Sequence, residues 1–185
     1  MILRHLKKFL GASDIGWIED RLPFQVWRFR DKPCEGALTY ATVGLSKHLL
    51  VQPDKPPIRQ ELVFSCYDRF ASLPIEKRLL AVGEDVISAH QAVIRGQILG
   101  PRGPLFEGVK VEALLSWLPF YFADEFQGFT TDDGSDVIFT WLIPLYREEA
   151  HHIGHHGWKA FESLVVELDP DFMDLGRPMM NLAAA

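Results

Sequence analysis

The sequence predicts an α+β fold: a single domain over residues 1–185 in which helices pack on one mainly antiparallel, mixed sheet of about six strands. Two pairs of strand-like segments are each joined by turn residues, which predicts two hairpins. Helical spacing occurs elsewhere in the chain. The 185 residues, 48% of them hydrophobic, contain no internal repeat or long linker, so one core is expected.

An amphipathic helix is predicted at residues 1–10, where apolar side chains recur at helical spacing. No uninterrupted apolar stretch follows its basic residues, so a targeting signal is not expected. No apolar run approaches the roughly 20 residues that cross a bilayer. We therefore expect a cytoplasmic protein that does not bind membranes.

The first hairpin is predicted from residues 24–30 and 37–45, which are rich in Val, Thr and aromatic residues. The break Asp31-Lys32-Pro33 supplies residues typical of turns. The proline-rich residues 52–57 predict a surface loop. Alternating residues at 60–66 then predict a third strand.

A helix is predicted at residues 73–91, with Ser72 as its N-cap, because apolar residues recur there at three- and four-residue steps. The glycine- and proline-rich residues 96–108 predict a loop with short extended pieces and match no phosphate-binding or dinucleotide-binding motif. Residues 111–122 predict a strand whose far end bends at Pro119.

The second hairpin is predicted from residues 126–131 and 136–143, because the intervening Asp133-Gly134 favours a turn with positive φ at both central positions. The second strand is short, β-branched and aromatic, which predicts burial on both faces. Pro144 is then expected in the first turn of a helix, where its fixed φ is favourable.

A last helix is predicted from Trp158 to Leu168, ended by Asp169-Pro170. The core of the domain is therefore expected over about residues 24–168, followed by a tail at residues 170–185.

The net charge of −6 and the pI near 5.6 argue against binding to nucleic acid or to anionic membranes, since both need a basic face.

Cys34 and Cys66 show no metal-ligand spacing, and reduced thiols are expected, although a single disulfide between them stays open. No nucleophile elbow or cysteine protease signature occurs, so no catalytic residue is predicted and the chain is not expected to be an enzyme.

Clustered acids predict a negative strip, since no Lys or Arg lies between residues 124 and 136. Its members are Asp124, Glu125, Asp132, Asp133 and Asp136. The spacing does not fit a calcium-binding loop. Two interpretations stay open: a solvated hairpin tip, and a docking surface for a basic protein.

Four histidines form two i,i+4 pairs on a predicted helix: His151, His152, His155 and His156. Such a pair can bind zinc, which makes a metal-dependent enzyme the alternative function. Glu148 and His156 would lie about 12 Å apart along the helix, too far to share one ion. We predict a solvated helix end, with no metal and no cofactor.

Two patches in order, residues 39–46 (TYATVGLS) and 60–64 (QELVF), resemble the paired-strand signature of the suppressor of fused family. Residues 137–144, Glu148-Glu149-Ala150 and His156-Gly157-Trp158 are similar to that family's closing strand, acidic helix start and last helix. The resemblance covers about residues 24–168.

The resemblance implies a non-catalytic protein-binding module. In animals, such a domain is one lobe of a negative regulator that grips an extended peptide of a transcription factor as an added strand. Tyr40, which matches the family's strand tyrosine, is the contact residue that the resemblance implies. Stand-alone bacterial relatives look like immunity proteins that neutralise a cognate toxin by binding it, and this is the function that we expect.

Overall fold

The computed structural model describes residues 1–183. Its helices are α1 (Ile2–Leu10), α2 (Ile75–Ala89), α3 (Arg147–His156) and α4 (Trp158–Leu168). Its strands are β1 (Ser13–Ile18), β2 (Gln25–Arg30), β3 (Ala37–Val43), β4 (Leu50–Gln52), β5 (Lys55–Tyr67), β6 (Ile98–Leu99), β7 (Ala113–Trp117), β8 (Gly128–Thr130) and β9 (Asp136–Leu145).

The strands form one mixed sheet in the order β1-β2-β3-β5-β9-β7-β6, with β4 paired to β5 and β8 paired to β9. Among the strand pairs within residues 1–183, only β5–β9 is parallel. The predicted class, a single α+β domain with a mainly antiparallel sheet, is confirmed. The sheet has nine strands rather than about six, because the short strands β1, β4 and β6 were not predicted.

Hydrophobic side chains cover both faces of the sheet. On β5, Leu62 and Phe64 join the core beneath α2, while Val63 joins the core shared with α1, α3 and α4. This split follows from the alternation of side chains along a strand. On β9, Leu142 and Trp141 divide in the same way, and both are fully buried. The prediction that this strand is buried on both faces is confirmed.

Both predicted hairpins are present, as the antiparallel pairs β2–β3 and β8–β9. The turn of the second differs from the prediction. Only Gly134 has positive φ, and the Thr131 amide donates to the Ser135 carbonyl (2.8 Å), which closes a loop of residues 132–134. This is the three-residue hairpin loop with a left-handed glycine at its last position, rather than the two-residue Asp-Gly turn.

The prediction that Pro144 begins a helix is wrong. Pro144 lies in β9 and pairs with Leu114, and the helix begins only at Arg147. The pairing of β9 with β5 ends at Trp141, so one edge of β9 has no strand partner at Pro144. Proline is tolerated there because a missing N–H on an open edge breaks no ladder hydrogen bond.

Two smaller boundaries also differ from the predictions. Helix α2 begins at Ile75 with Pro74 at the N-cap position, so Ser72 is not the cap. Residues 52–57 are not a loop throughout, since β4 ends at Gln52 and β5 begins at Lys55, paired to each other. A tight turn at Pro53-Asp54, with Asp54 at positive φ, joins the two strands.

The segment predicted as a tail packs against the domain. Residues 170–183 form no helix or strand, but Phe172, Leu175 and Met180 are buried. Asp171 accepts a hydrogen bond from the Tyr67 hydroxyl (2.6 Å). The residues that follow α4 are therefore part of the core, and the buried apolar surface holds them there. Residues 184–185 lie outside the described part of the chain.

In residues 1–183, no helix combines the length and the apolar character that a membrane crossing requires.

Candidate functional site

The two sequence patches that carry the family resemblance bind each other through Glu61. This carboxylate, fully buried on β5, accepts hydrogen bonds from the Thr42 hydroxyl (2.6 Å) and the Gly44 amide (2.9 Å). It also accepts from the Ser46 amide (3.1 Å) and the Ser46 hydroxyl (2.7 Å). Burial raises the pKa of Glu61, and these hydrogen bonds act in the opposite direction. The Gly-Leu-Ser turn is thus folded around one acid, which explains its residue types.

Gln60, the neighbour of Glu61, ties three elements together. Its amide nitrogen donates to the Val93 carbonyl (2.9 Å) and to the Thr140 hydroxyl (2.5 Å), and its amide oxygen accepts from the Val93 amide (3.0 Å). Gln60 therefore joins β5 to β9 and to the segment that follows α2. Both motif residues have a structural role in holding the sheet together.

All five acids of the predicted strip are exposed. They form two groups, one at each end of β8. Asp132, Asp133 and Asp136 lie at the tip of the β8–β9 hairpin, while Asp124 and Glu125 lie in a short 3₁₀ turn that precedes β8. The acids therefore flank β8 at both ends, and they are not confined to the hairpin turn.

None of these five acids forms an ion pair within residues 1–183. They accept hydrogen bonds from neutral neighbours instead. The Thr130 hydroxyl donates to Asp136 (2.8 Å), and the Ser135 amide donates to Asp133 (3.2 Å). Hydrogen bonds from Thr131 and Ser135 hold the pKa of Asp133 below its usual value. Asp133 therefore keeps its negative charge at neutral pH.

Tyr40, the contact residue that the resemblance implied, is not on the surface. It is 1% exposed in the core beneath α2. The ring of Trp17 stacks on it with a centroid distance of 5.8 Å, and the Arg28 guanidinium lies over Trp17. Burial raises the pKa of Tyr40 to about 12. Strand β1, which carries Trp17, was not predicted from the sequence, and with the core beneath α2 it covers Tyr40.

The histidine helix has one packed pair. The half-buried His152 stacks on the exposed His156 with a ring-centroid distance of 4.4 Å, and His151 and His155 are also exposed. Burial lowers the pKa of His152, and His156 lowers it further. Within residues 1–183, no three His, Cys, Asp or Glu side chains are grouped as metal ligands. Stacked rings do not aim two nitrogens at one point, so this pair is a poor chelator.

Both cysteines are free thiols, Cys34 exposed and Cys66 buried.

A polar cleft of about 510 Å³, which the sequence did not indicate, lies between α2 and the segment around β6. Its rim includes Arg78, Asp85 and Arg102. No local motif marks this cleft, because its walls come from segments that are distant in sequence.

Solved structures with this fold include three suppressor of fused proteins. A homologue from Neisseria gonorrhoeae FA 1090 is 21% identical, with a TM-score of 0.77 over 96% of this chain and 93% of that chain. A chain of a Sufu–Fu complex is 14% identical, with a TM-score of 0.69 over 97% and 90%. Drosophila Suppressor of Fused is also 14% identical, with a TM-score of 0.66 over 97% of this chain. This chain spans 50% of the Drosophila protein's length.

At these identities the structures show a shared fold. No curated protein matches the sequence significantly. The family model described as suppressor of fused protein matches residues 20–178, which is most of the chain. That segment begins just before β2 and ends after α4, so it contains the Glu61 motif, the acidic strip and the histidine helix. The chain therefore belongs to the suppressor of fused family.

Proposed function

We propose that this chain is a non-catalytic protein-binding module, and that it neutralises a cognate bacterial toxin in the cytoplasm by stoichiometric contact. The observation that carries the proposal is membership of the suppressor of fused family over residues 20–178. One relative with this fold was solved as a Sufu–Fu complex, and another comes from a bacterium. The complex supports a protein partner for this chain, and the bacterial homologue supports a bacterial role.

The charge of the chain supports a basic partner. The net charge is −6, and five exposed acids around β8 have no internal ion pair within residues 1–183. Unpaired surface charge of one sign attracts a partner of the opposite sign and raises the association rate. We therefore assign Asp124, Glu125, Asp132, Asp133 and Asp136 to the interface. Tyr40 is left out, because it is buried.

The test is to express the toxin gene adjacent to this gene in a foreign host, with and without the chain. The proposal predicts that co-expression restores growth and that the two purified proteins form a stoichiometric complex. A matched control is a destabilised chain such as Leu142→Ala, whose side chain is fully buried. Growth arrest that the native chain does not relieve, or relief without a complex, would show that the function is a different one.

A further inference from the structure

The outer edge of β8 is an open sheet edge. β8 pairs with β9 on one side only. Two hydrogen bonds flank this pairing: the Thr131 amide donates to the Ser135 carbonyl (2.8 Å), and the Phe139 amide donates to the Gln127 carbonyl (2.9 Å). In an antiparallel ladder, hydrogen-bonded pairs alternate with pairs whose backbone groups point outward. The alternation between these two bonds therefore fixes which groups of β8 face away from β9.

Phe129 and Val137 form the hydrogen-bonded pair, so the N–H and C=O groups of Gly128 and Thr130 point away from β9. No backbone partner for these groups is found within residues 1–183. An extended segment beside β8 would supply up to about four backbone hydrogen bonds, as in strand addition.

The acids at the two ends of β8 select what can occupy this edge. A second copy would bring another set of these five acids alongside, and like charges that face each other across a ladder are destabilising. A segment rich in Lys or Arg would meet opposite charge at both ends of the strand. The edge therefore disfavours self-association and favours a basic, extended segment.

β1, the edge strand at one end of the sheet order, differs from β8 in these respects. β1 has an irregular register between Ser13 and Ile15, which blunts its edge. Its acid, Asp14, is already paired with Arg28 (2.7 Å) and Arg30 (2.6 Å). Near β1 in sequence, Asp20 is exposed and forms no ion pair within residues 1–183, so β1 is accompanied by one unpaired acid and β8 by five.

We infer that the outer edge of β8 binds a basic, extended segment of the partner protein as an added strand, through the backbone of Gly128 and Thr130. The inference rests on the proposed protein-binding function and specifies its interface. The added strand does not need to bury apolar side chains against either face of the sheet. The acids steer the segment to the strand, and the backbone groups fix its register.

The probe is a short synthetic peptide of alternating lysine and valine, titrated into the purified chain while amide signals are followed by NMR. The inference predicts slowed hydrogen exchange at the Gly128 and Thr130 amides. Thr130→Pro, which removes an outward N–H, should weaken peptide binding roughly tenfold or more. Thr130→Val keeps that N–H and removes the hydroxyl that donates to Asp136, so it is the matched control for the backbone group and should retain most of the peptide affinity that Thr130→Pro loses.

Spermine and the protein alone complete the test. Spermine carries charge without a backbone and should not protect either amide. Peptide binding without protection of Gly128 and Thr130, equal effects of the two Thr130 variants, or no binding would each overturn the inference. A concentration-dependent dimer that Thr130→Pro abolishes would assign the edge to a second copy instead. Toxin neutralisation by the Thr130→Pro variant at wild-type affinity would leave the proposed function intact and reject this interface.

Discussion

Arg177 and Glu149 form a two-bond ion pair inside the domain: Nη1 lies 2.7 Å from Oε1, and Nη2 lies 2.5 Å from Oε2. Their side chains are 3% and 0% exposed. Glu149 also accepts a hydrogen bond from the Tyr146 amide (3.0 Å) at the start of α3, and Arg177 donates to the Pro144 carbonyl (3.3 Å). One ion pair thus joins the C-terminal segment to the end of β9 and the start of α3.

Arg177→Met should therefore lower the free energy of unfolding by about 3–5 kcal/mol, because it leaves the Glu149 charge buried without a partner. Arg69→Met is the matched control. Arg69 is paired with Asp174 of the same segment but is 54% exposed, so its loss should cost less than about 1 kcal/mol. Urea denaturation of both variants measures the difference. Equal losses of unfolding free energy in the two variants would mean that the buried ion pair stabilises the fold no more than the exposed one.

Replacing Glu61 should be more costly than replacing any single donor to it. Glu61→Ala leaves the Gly44 and Ser46 amides without their acceptor and should cost more than about 3 kcal/mol, since each buried unsatisfied group costs about 1–3 kcal/mol. Ser46→Ala removes one hydroxyl and should cost about 1–3 kcal/mol. Thermal or chemical denaturation compares the two. A Glu61→Ala variant of wild-type stability would contradict the role of this motif.

The aromatic surroundings of His5 predict that stability depends on pH. The ring lies 4.8 Å from Phe129 and 5.0 Å from Phe139 between centroids, and burial lowers its pKa from 6.5. The unfolded chain therefore binds a proton more readily than the folded one as pH falls below about 6.5, so stability is highest above that pH and decreases below it.

Exchange of His5 for Phe should reduce the slope of stability against pH between about pH 7 and pH 5. His152 contributes in the same direction, since burial also lowers its pKa, so part of the slope should remain. Denaturation curves at several pH values measure both slopes. An identical slope in the His5→Phe variant would show that His5 titrates equally in the two states.

Leu142 tests the position of β9 at the centre of the sheet. It is fully buried, so Leu142→Ala should cost about 2–5 kcal/mol through lost apolar burial and the cavity that remains. Val166 on α4 is 79% exposed, and Val166→Ala should change stability by less than about 0.5 kcal/mol. Denaturation midpoints measure the stability of both variants. A small loss of stability in Leu142→Ala would mean that β9 is not at the centre of the sheet.

The elements that were predicted correctly are those that depend on residues close together in the sequence. Turn residues defined both hairpins, and helical spacing defined α2 and α4. Pro144 was assigned incorrectly because its tolerance depends on where β9 loses its neighbour β5, which is a tertiary property. The short strands β1, β4 and β6 exist only through their pairing partners.

The candidate site shows the same division. The five acids were predicted from their charge pattern, and all are exposed. Tyr40 was proposed as a contact from the resemblance alone, and it is buried in the core beneath α2, where Trp17 of the unpredicted β1 stacks on it. The role of Glu61 was also not predicted, because its four hydrogen bonds join positions that are 15–19 residues apart in sequence.

The acidic strip makes the kinetic prediction that matters most for function. Asp132, Asp133 and Asp136 are changed together to Asn, and a matched triple changes three other exposed acids by the same net charge. The matched set is Asp20→Asn, Glu35→Gln and Glu107→Gln. Neither triple should alter circular dichroism or the melting temperature by much, since all six side chains are exposed.

The decisive measurement is the association rate constant of each triple variant with the co-encoded toxin, as a function of salt concentration. The hairpin-tip triple should associate roughly tenfold or more slowly than the wild type at low salt, with the difference closing as salt rises, because a local field steers the encounter. The matched triple should lose much less. Equal rates for the two triples and the wild type at every salt concentration would contradict a partner interface at the acidic strip.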